Sequence, residues 1–530
     1  MHPALLISEV VVAIFDALDN TTYRDVLTRR QTLSVLARTC LAFLDSALDL
    51  LWEDLPDVRY LTKTLPERPV ELVANEAAYT PSECSRFFSY AARIRKLEVS
   101  WKSQAAYSDL EPLRLVPLDS HHPPLFPRLK SLTWSDDRPG NAIFLRLFLV
   151  PSLLHLRIHF LWKTELVSVG CLRDLGTLCP QLQALSLKDS RTSCIPSKFV
   201  CSVIRGCHKL EAIRCHGVDE PTMRHLASLP TLKCAEIDIP WPRSLNRGEE
   251  PESSVIQQGF ENATYLHLTT ARMAHVTSLF AQNPKRPSHV CVDVGEGPES
   301  WAIWTFFNTL VSSPSYFNLT HVVLECWDTI NNDIVARPTR AWFESLTPLL
   351  SLRRLEVLSL AVQCSFDFAD DDLSRMAQAW PDLEVLVVER YHDDEPPHAT
   401  LRGLGAFALH CPKTRVIRLM VDALEADATG LEDVSPLPRL SREKLCLSLG
   451  NSRIGDPEAV ARVLTAFFPG ARDVNTWDGR WSYRHEEFAA YKDRWDKVNE
   501  LLEWGGGPRE ERVTIHEALI AGDNTDGVVS

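Results

Sequence analysis

Near the start of the chain the large apolar side chains recur every three or four residues. In LISEVVVAIFDALDN (Leu6 to Asn20) they fall at Ile7, Val10, Val11, Ile14, Phe15 and Leu18, the spacing that lines one helix face. Val10 to Val12 favour strands intrinsically, but the face runs over about three turns, longer than a pleated alternative needs. Ser8 is placed to cap this helix, and Glu9 in its first turn complements the helix dipole. Two further sets follow, Leu33, Leu36, Ala37, Cys40 and Leu44, then Ala47, Leu48, Leu51, Trp52 and Leu55. Three short helices are predicted within residues 1–60. So small a unit buries little surface, so part of its apolar area is expected to meet the rest of the chain or a partner.

A second pattern occupies most of the remaining length. CPQLQALSL (Cys179 to Leu187) carries apolar residues at its first, fourth, seventh and ninth positions. The template recurs as AARIRKLEV from Ala91, FPRLKSLTW from Phe126, VPSLLHLRI from Val150, CHKLEAIRC from Cys207 and LPTLKCAEI from Leu229. It continues as FENATYLHL from Phe260, LRRLEVLSL from Leu352, WPDLEVLVV from Trp380, CPKTRVIRL from Cys411 and FPGARDVNT from Phe468, with weaker copies at SHVCVDV, THVVLE and EKLCLSL. Counted at the seventh position, neighbouring copies stand about 22 to 36 residues apart, a leucine-rich-repeat period. Each copy is expected to end in a short strand, and stacked units share one continuous core, which makes a solenoid over residues 91–480.

Helices are expected between the strands, on the convex side. TPSECSRFFSYA opens with Thr80, Pro81 and Glu83, a complete capping box, within a connecting and capping region at 61–90. DPEAVARVLTAFFPG repeats the device with Asp456 and Pro457, its face running Val460, Val463, Leu464 and Phe467. A solenoid end exposes apolar surface unless capped. RHEEFAAYKDRWDKVNELLEW supplies a cap over residues 481–504, with Phe488, Tyr491, Trp495, Val498 and Leu502 on one stripe. Residues 505–530 begin with three glycines and read as a loose tail. The fold class is thus α/β: a three-helix module, then a curved solenoid with concave strands and convex helices.

Charge and cysteine content narrow the function. The net charge of −14 argues against nucleic acid as a partner, because phosphate binding needs a basic face. The acidic runs DFADDDL (Asp367 to Leu373) and YHDDEPP (Tyr391 to Pro397) lack calcium-loop spacing and read as solvated loops. Fourteen cysteines are too dilute for a disulfide scaffold and include no Cys-x-x-Cys pair, so reduced thiols in an intracellular protein are expected. The opening run has no preceding Lys or Arg and is interrupted by Glu9 and Asp16, unlike a secretory signal. No stretch approaches eighteen uncharged apolar residues, so no membrane span is expected.

No catalytic constellation emerges, and neither an enzyme activity nor a cofactor or metal is expected. IHEALI has His516 and Glu517 but no second histidine one turn on. GLGAFA (Gly403 to Ala408) follows a charged loop rather than a strand, unlike a dinucleotide loop. Cys179, Cys207 and Cys411 share the first template position, where packing asks for a small buried hydrophobe rather than a ligand. Binding is better sought on the inner strand face, which displays the residues flanking each buried position. Early copies place His155, Arg157, His159, Lys188, Arg214 and His216 there, and later ones Glu236, Asp238, Glu325 and Glu389. This basic-then-acidic ladder is a candidate target-binding face, though any exposed face carries polar residues.

The N-terminal blocks carry a family resemblance. Ile14-Phe15 with Leu18, then LARTCLAF (Leu36 to Phe43), then ALDLLW (Ala47 to Trp52), resemble an F-box, the helical module that docks the Skp-type adaptor of cullin ubiquitin ligases. The likeness is greatest to fungal F-box proteins with leucine-rich repeats, which often begin LIPEVL; here Ser8 stands where they have proline. It covers about a tenth of the chain. It implies that Ile7, Val11, Ile14, Phe15, Leu18, Leu36, Phe43 and Trp52 build or support an adaptor contact. The implied function is substrate recognition in a Skp-cullin-F-box ligase, with a target protein held by the repeats. The alternative is a non-ligase repeat scaffold whose N-terminal helices only cap the solenoid.

Overall fold

The computed structural model describes residues 8–16, 23–66, 78–100, 110–117, 124–135, 141–160, 170–189, 197–239, 259–283, 285, 287–295, 297–326, 339–390, 396–425, 445–476 and 488–503. The chain is mixed α/β and divides into two compact units, one ending at Thr222 and one starting at Met223.

The first unit opens with helices Ser8–Asp16, Tyr23–Thr39 and Leu41–Glu53. The second and third are separated at Cys40, whose extended backbone (φ −160, ψ 161) breaks the run. Leu44 therefore belongs to the third helix rather than the second, and Leu55 lies beyond it in a strand. The first two helices both pack on the third. Val11, Phe15, Leu33 and Ala47 form their shared core, with Leu36, Phe43, Leu50 and Leu51 against it.

The third helix runs directly into strand β1 (Asp54–Leu55), which pairs in parallel with β2 (Lys96–Ser100). The ladder continues through β3 (Ser131–Ser135), β4 (His155–Phe160), β5 (Ala184–Asp189) and β6 (Ala212–Cys215), all parallel. Helix Pro81–Ala91 begins with the expected capping box: the Glu83 amide donates to Thr80 Oγ1, and the Glu83 carboxylate accepts from the Thr80 amide. Between β4 and β6 the connections include short helical turns and helix Ser197–Arg205, whose Phe199, Val200, Cys201, Val203 and Ile204 are buried.

In the second unit β7 (Cys234–Asp238), β8 (Tyr265–Thr270), β9 (His289–Val294) and β10 (His321–Cys326) form a parallel ladder. It continues through β12 (Val357–Ala361), β14 (Val385–Val388), β15 (Val416–Leu419), β16 (Leu445–Gly450) and β17 (Ala471–Thr476). Two further strands, β11 (Thr339–Trp342) and β13 (Cys364–Asp367), pair separately. Every template copy ends in one of the long-ladder strands.

On β8 and β9 burial alternates strictly: Leu266, Leu268, Val290 and Val292 are in the core, while Tyr265, His267, Cys291 and Asp293 face the other way. On β12, β14 and β15 both faces are buried, because Val357, Val385, Val387 and Val416 form an apolar cluster on the second face as well. Parallel strands lie only about 4.8 Å apart, so branched side chains in one row cover each other.

Helix Phe488–Glu503 packs on β17 and on helix Pro457–Phe467. Trp495 and Val498 are fully buried on it, and Trp495 Nε1 donates to the Ser452 carbonyl at 2.9 Å. Asn499 accepts from the Val474 amide and donates to the Val474 carbonyl, so one side chain satisfies both backbone groups of a residue on the last strand.

The acidic run from Asp367 is not a solvated loop. Asp367 closes β13 with its side chain buried and bonded to His398, and Asp370, Asp371 and Asp372 form the first turn of helix Asp370–Ala379. There Asp372 accepts from the Ala369 amide and Asp370 from the Thr400 amide and hydroxyl, which answers the exposed donors of two helix starts. Residues 391–395 of the second acidic run, His516 and Glu517, and the 505–530 tail lie outside the described residues. The GLGAFA segment is helical, within Leu401–His410.

Candidate functional site

Two surfaces can be built from the residues upward: the N-terminal helices and the strand faces.

On the helices, Val11 and Phe15 are core, with Phe15 edge-on to Phe43 at 5.6 Å. Leu36 and Phe43 are half-buried against that core. Ile14 is different, with 48% of its surface exposed. Val35 at 56% and Leu41 at 87% join it, flanking the Cys40 break. Neither was singled out from sequence, although their places between helix-face positions were the available signal. Trp52 is half-buried and stacks on Tyr90 at 4.3 Å with planes 8° apart. Arg93 bonds the Asp45 carboxylate and carbonyl as well as Asp49, so the third helix is held to the segment preceding β2. Ile7 and Leu18 lie outside the described residues.

On the first unit's strands, the register groups the expected basic residues into rows. His155 pairs with Ala184, Arg157 aligns through Ser186 with Arg214, and His159 pairs with Lys188. His216 follows β6 and is exposed. Burial lowers the His155 pKa below its ordinary value, and Glu211 opposes that shift.

On the second unit's strands, Glu236 pairs with His267, and Asp238 aligns through Thr269 and Asp293 with Glu325. Glu389, just past β14, is ion-paired with Arg418 on β15. His267 Nε2 lies 3.1 Å from Asp293 Oδ2. Burial alone would lower the His267 pKa, but Asp293, aided by Glu236 and Glu325, outweighs it and holds the imidazole above its ordinary range. One row away His289 and His321 stack with ring centroids 3.9 Å apart. Burial, with His289 beside it, pushes His321 down to about 3. The ladder thus contains His267, Asp293, His289, His321 and Arg418, which sequence reasoning did not select. Their signal was present: His267 and Arg418 occupy the eighth template position, as Arg157 and Arg214 do.

Cys179, Cys207 and Cys411 are buried at equivalent places, and burial raises each thiol to about 12. The Cys411 thiol donates to the Trp380 carbonyl at 3.2 Å. Among the described residues no group of three or more His, Cys, Asp or Glu side chains is placed to hold a metal ion, and no helix is long and apolar enough to cross a membrane.

No protein-family model and no curated protein matches the chain.

Proposed function

We propose that this protein is a substrate-recognition subunit of a Skp-cullin-F-box ubiquitin ligase, its N-terminal helices docking a Skp-type adaptor and its strand faces, built as leucine-rich repeats, holding a target protein. It works inside the cell without catalysing a reaction; holding ligase and target on one chain raises their effective concentration. The observation that carries the reading is the exposure of Ile14, Val35 and Leu41 on helices that already possess their own core. Three such residues within so short a helical unit support a contact surface there, since single exposed apolar side chains are ordinary but a concentration of them is not. Target binding is assigned to the basic rows around Arg157 and Arg214 and the acidic rows around Glu236 and Asp238.

A specific observation supports a second reading. The β1–β2 pairing, the Trp52–Tyr90 stack and the Arg93 bonds to Asp45 and Asp49 join the helices to the sheet, as a scaffold cap would be. Mixing the full chain with a purified Skp-type adaptor on a sizing column separates the two. The ligase reading expects co-elution, abolished by Leu41→Glu with Val35→Glu, which touch no core position. Failure of the unaltered chain to co-elute sinks it and leaves the scaffold.

A further inference from the structure

The strands of the second unit's open face are unusual in their charge. β7, β8, β9 and β10 read CAEID, YLHLTT, HVCVDV and HVVLEC, with four carboxylates and no Lys or Arg. Glu236 on β7 and Cys291 on β9 flank His267 in its own row, and Asp238, Asp293 and Glu325 share the next row on the same face, in register with Thr269. Like charges on adjacent strands destabilise a sheet unless a counter-charge sits between them. The other two histidines on these strands, His289 and His321, are stacked on each other one row away, and His321 is held neutral well below physiological pH. Of these three histidines it is His267 that lies among the carboxylates, its Nε2 3.1 Å from Asp293 Oδ2.

We propose that His267 is a proton-operated clasp across β7, β8, β9 and β10: charged, it binds the carboxylates of neighbouring strands together, and neutral, it releases them and leaves the face one unit more negative. The clasp is independent of what occupies the face. The sign follows from the direction of the shift. The fold favours the charged imidazole over its ordinary value of 6.5, so the clasp is fully engaged below that pH and is lost as pH rises through the higher folded value. His321 has the opposite sense. Its neutral form is the folded one, so its contribution is complete above 6.5 and is lost progressively as pH falls from there toward about 3. With the two senses combined, the face is tightest near pH 6.5.

The test uses the full chain and two measurements. Imidazole carbon chemical shifts of histidine-labelled protein should show His267 titrating above 6.5, and Asp293→Asn should move it below 6.5, because burial then acts without its main opponent. Amide exchange in β8 and β9, compared between wild type and His267→Gln at the same pH, should be about tenfold faster in the variant at pH 6, the size expected for losing one buried charged contact. The two should coincide at pH 9. A wild-type His267 that titrates at or below 6.5, or an exchange difference that is the same at pH 6 and pH 9, overturns the proposal. If His267→Gln fails to fold, the titrations of wild type and Asp293→Asn still decide.

Discussion

The end of the second unit allows a perturbation whose size can be worked out bond by bond. β17 pairs with β16 on one side, and on the other its Val474 amide and carbonyl meet the Asn499 side chain at 2.8 and 3.1 Å. Val474 is buried, so water cannot easily replace either partner. Replacing Asn499 with Leu keeps the branching at Cγ and the number of side-chain heavy atoms and leaves one donor and one acceptor unsatisfied. Each such group costs about 1–3 kcal/mol, and the partial burial of both bonds favours the lower half of that range. The sum is about 2–4 kcal/mol, or roughly 30- to 850-fold in the local opening equilibrium. Native-state hydrogen exchange reads this directly: the Val474 amide should exchange faster by that factor in Asn499→Leu, while amides in β8 and β9 stay unchanged. Protection at Val474 that changes by less than about threefold would refute the argument that one side chain closes this edge.

Other consequences are equally concrete. Trp380 is fully buried and its Nε1 donates to the Leu349 carbonyl at 3.0 Å, so Trp380→Ala should cost about 3–5 kcal/mol in urea unfolding followed by circular dichroism, and a loss below 1 kcal/mol would contradict the packing account. A Cβ at Gly176 would lie 1.9 Å from the Gly206 carbonyl oxygen, whereas one at Gly170 would meet nothing within 4 Å; Gly176→Ala should lower stability by about 1–3 kcal/mol and Gly170→Ala by less than about 0.5, and equal effects would be inconsistent with this close approach. Iodoacetamide at pH 8 should leave Cys179, Cys207 and Cys411 unmodified in the native protein and label all three after unfolding, because thiols raised to about 12 carry almost no thiolate; native labelling detected by mass spectrometry would show that they are not enclosed.

The strands were legible because their signal is local. Each template copy places apolar residues at fixed intervals, and each ends in a strand of the long ladders. The Thr80 capping box and the stripe through Trp495, Val498 and Leu502 were legible for the same reason, since each is written within one helix length. β1, β11 and β13 were missed because none of them ends a copy of the nine-residue template, whereas the equally short β6, β14 and β15 do. The break at Cys40 was missed because apolar periodicity runs through it. Asp370 to Asp372 read as loop because charge was weighed without asking which helix start it would serve. The His267–Asp293 contact needed the register, which fixes which eighth-position residue meets which neighbour, and single-sequence periodicity does not supply that pairing. The site on the helices was half legible: the segment stood out, but the core residues Val11 and Phe15 and the exposed residues Val35 and Leu41 differ only in which side of a helix they take.

Hydrogen-exchange footprinting of the full chain, alone and with a saturating Skp-type adaptor, tests the central claim most directly. Adaptor docking predicts new protection confined to the helices that carry Ile14, Val35 and Leu41, with the strands β2 to β6 unaltered. No protection anywhere, or protection on the strands with the helices unchanged, would contradict the account.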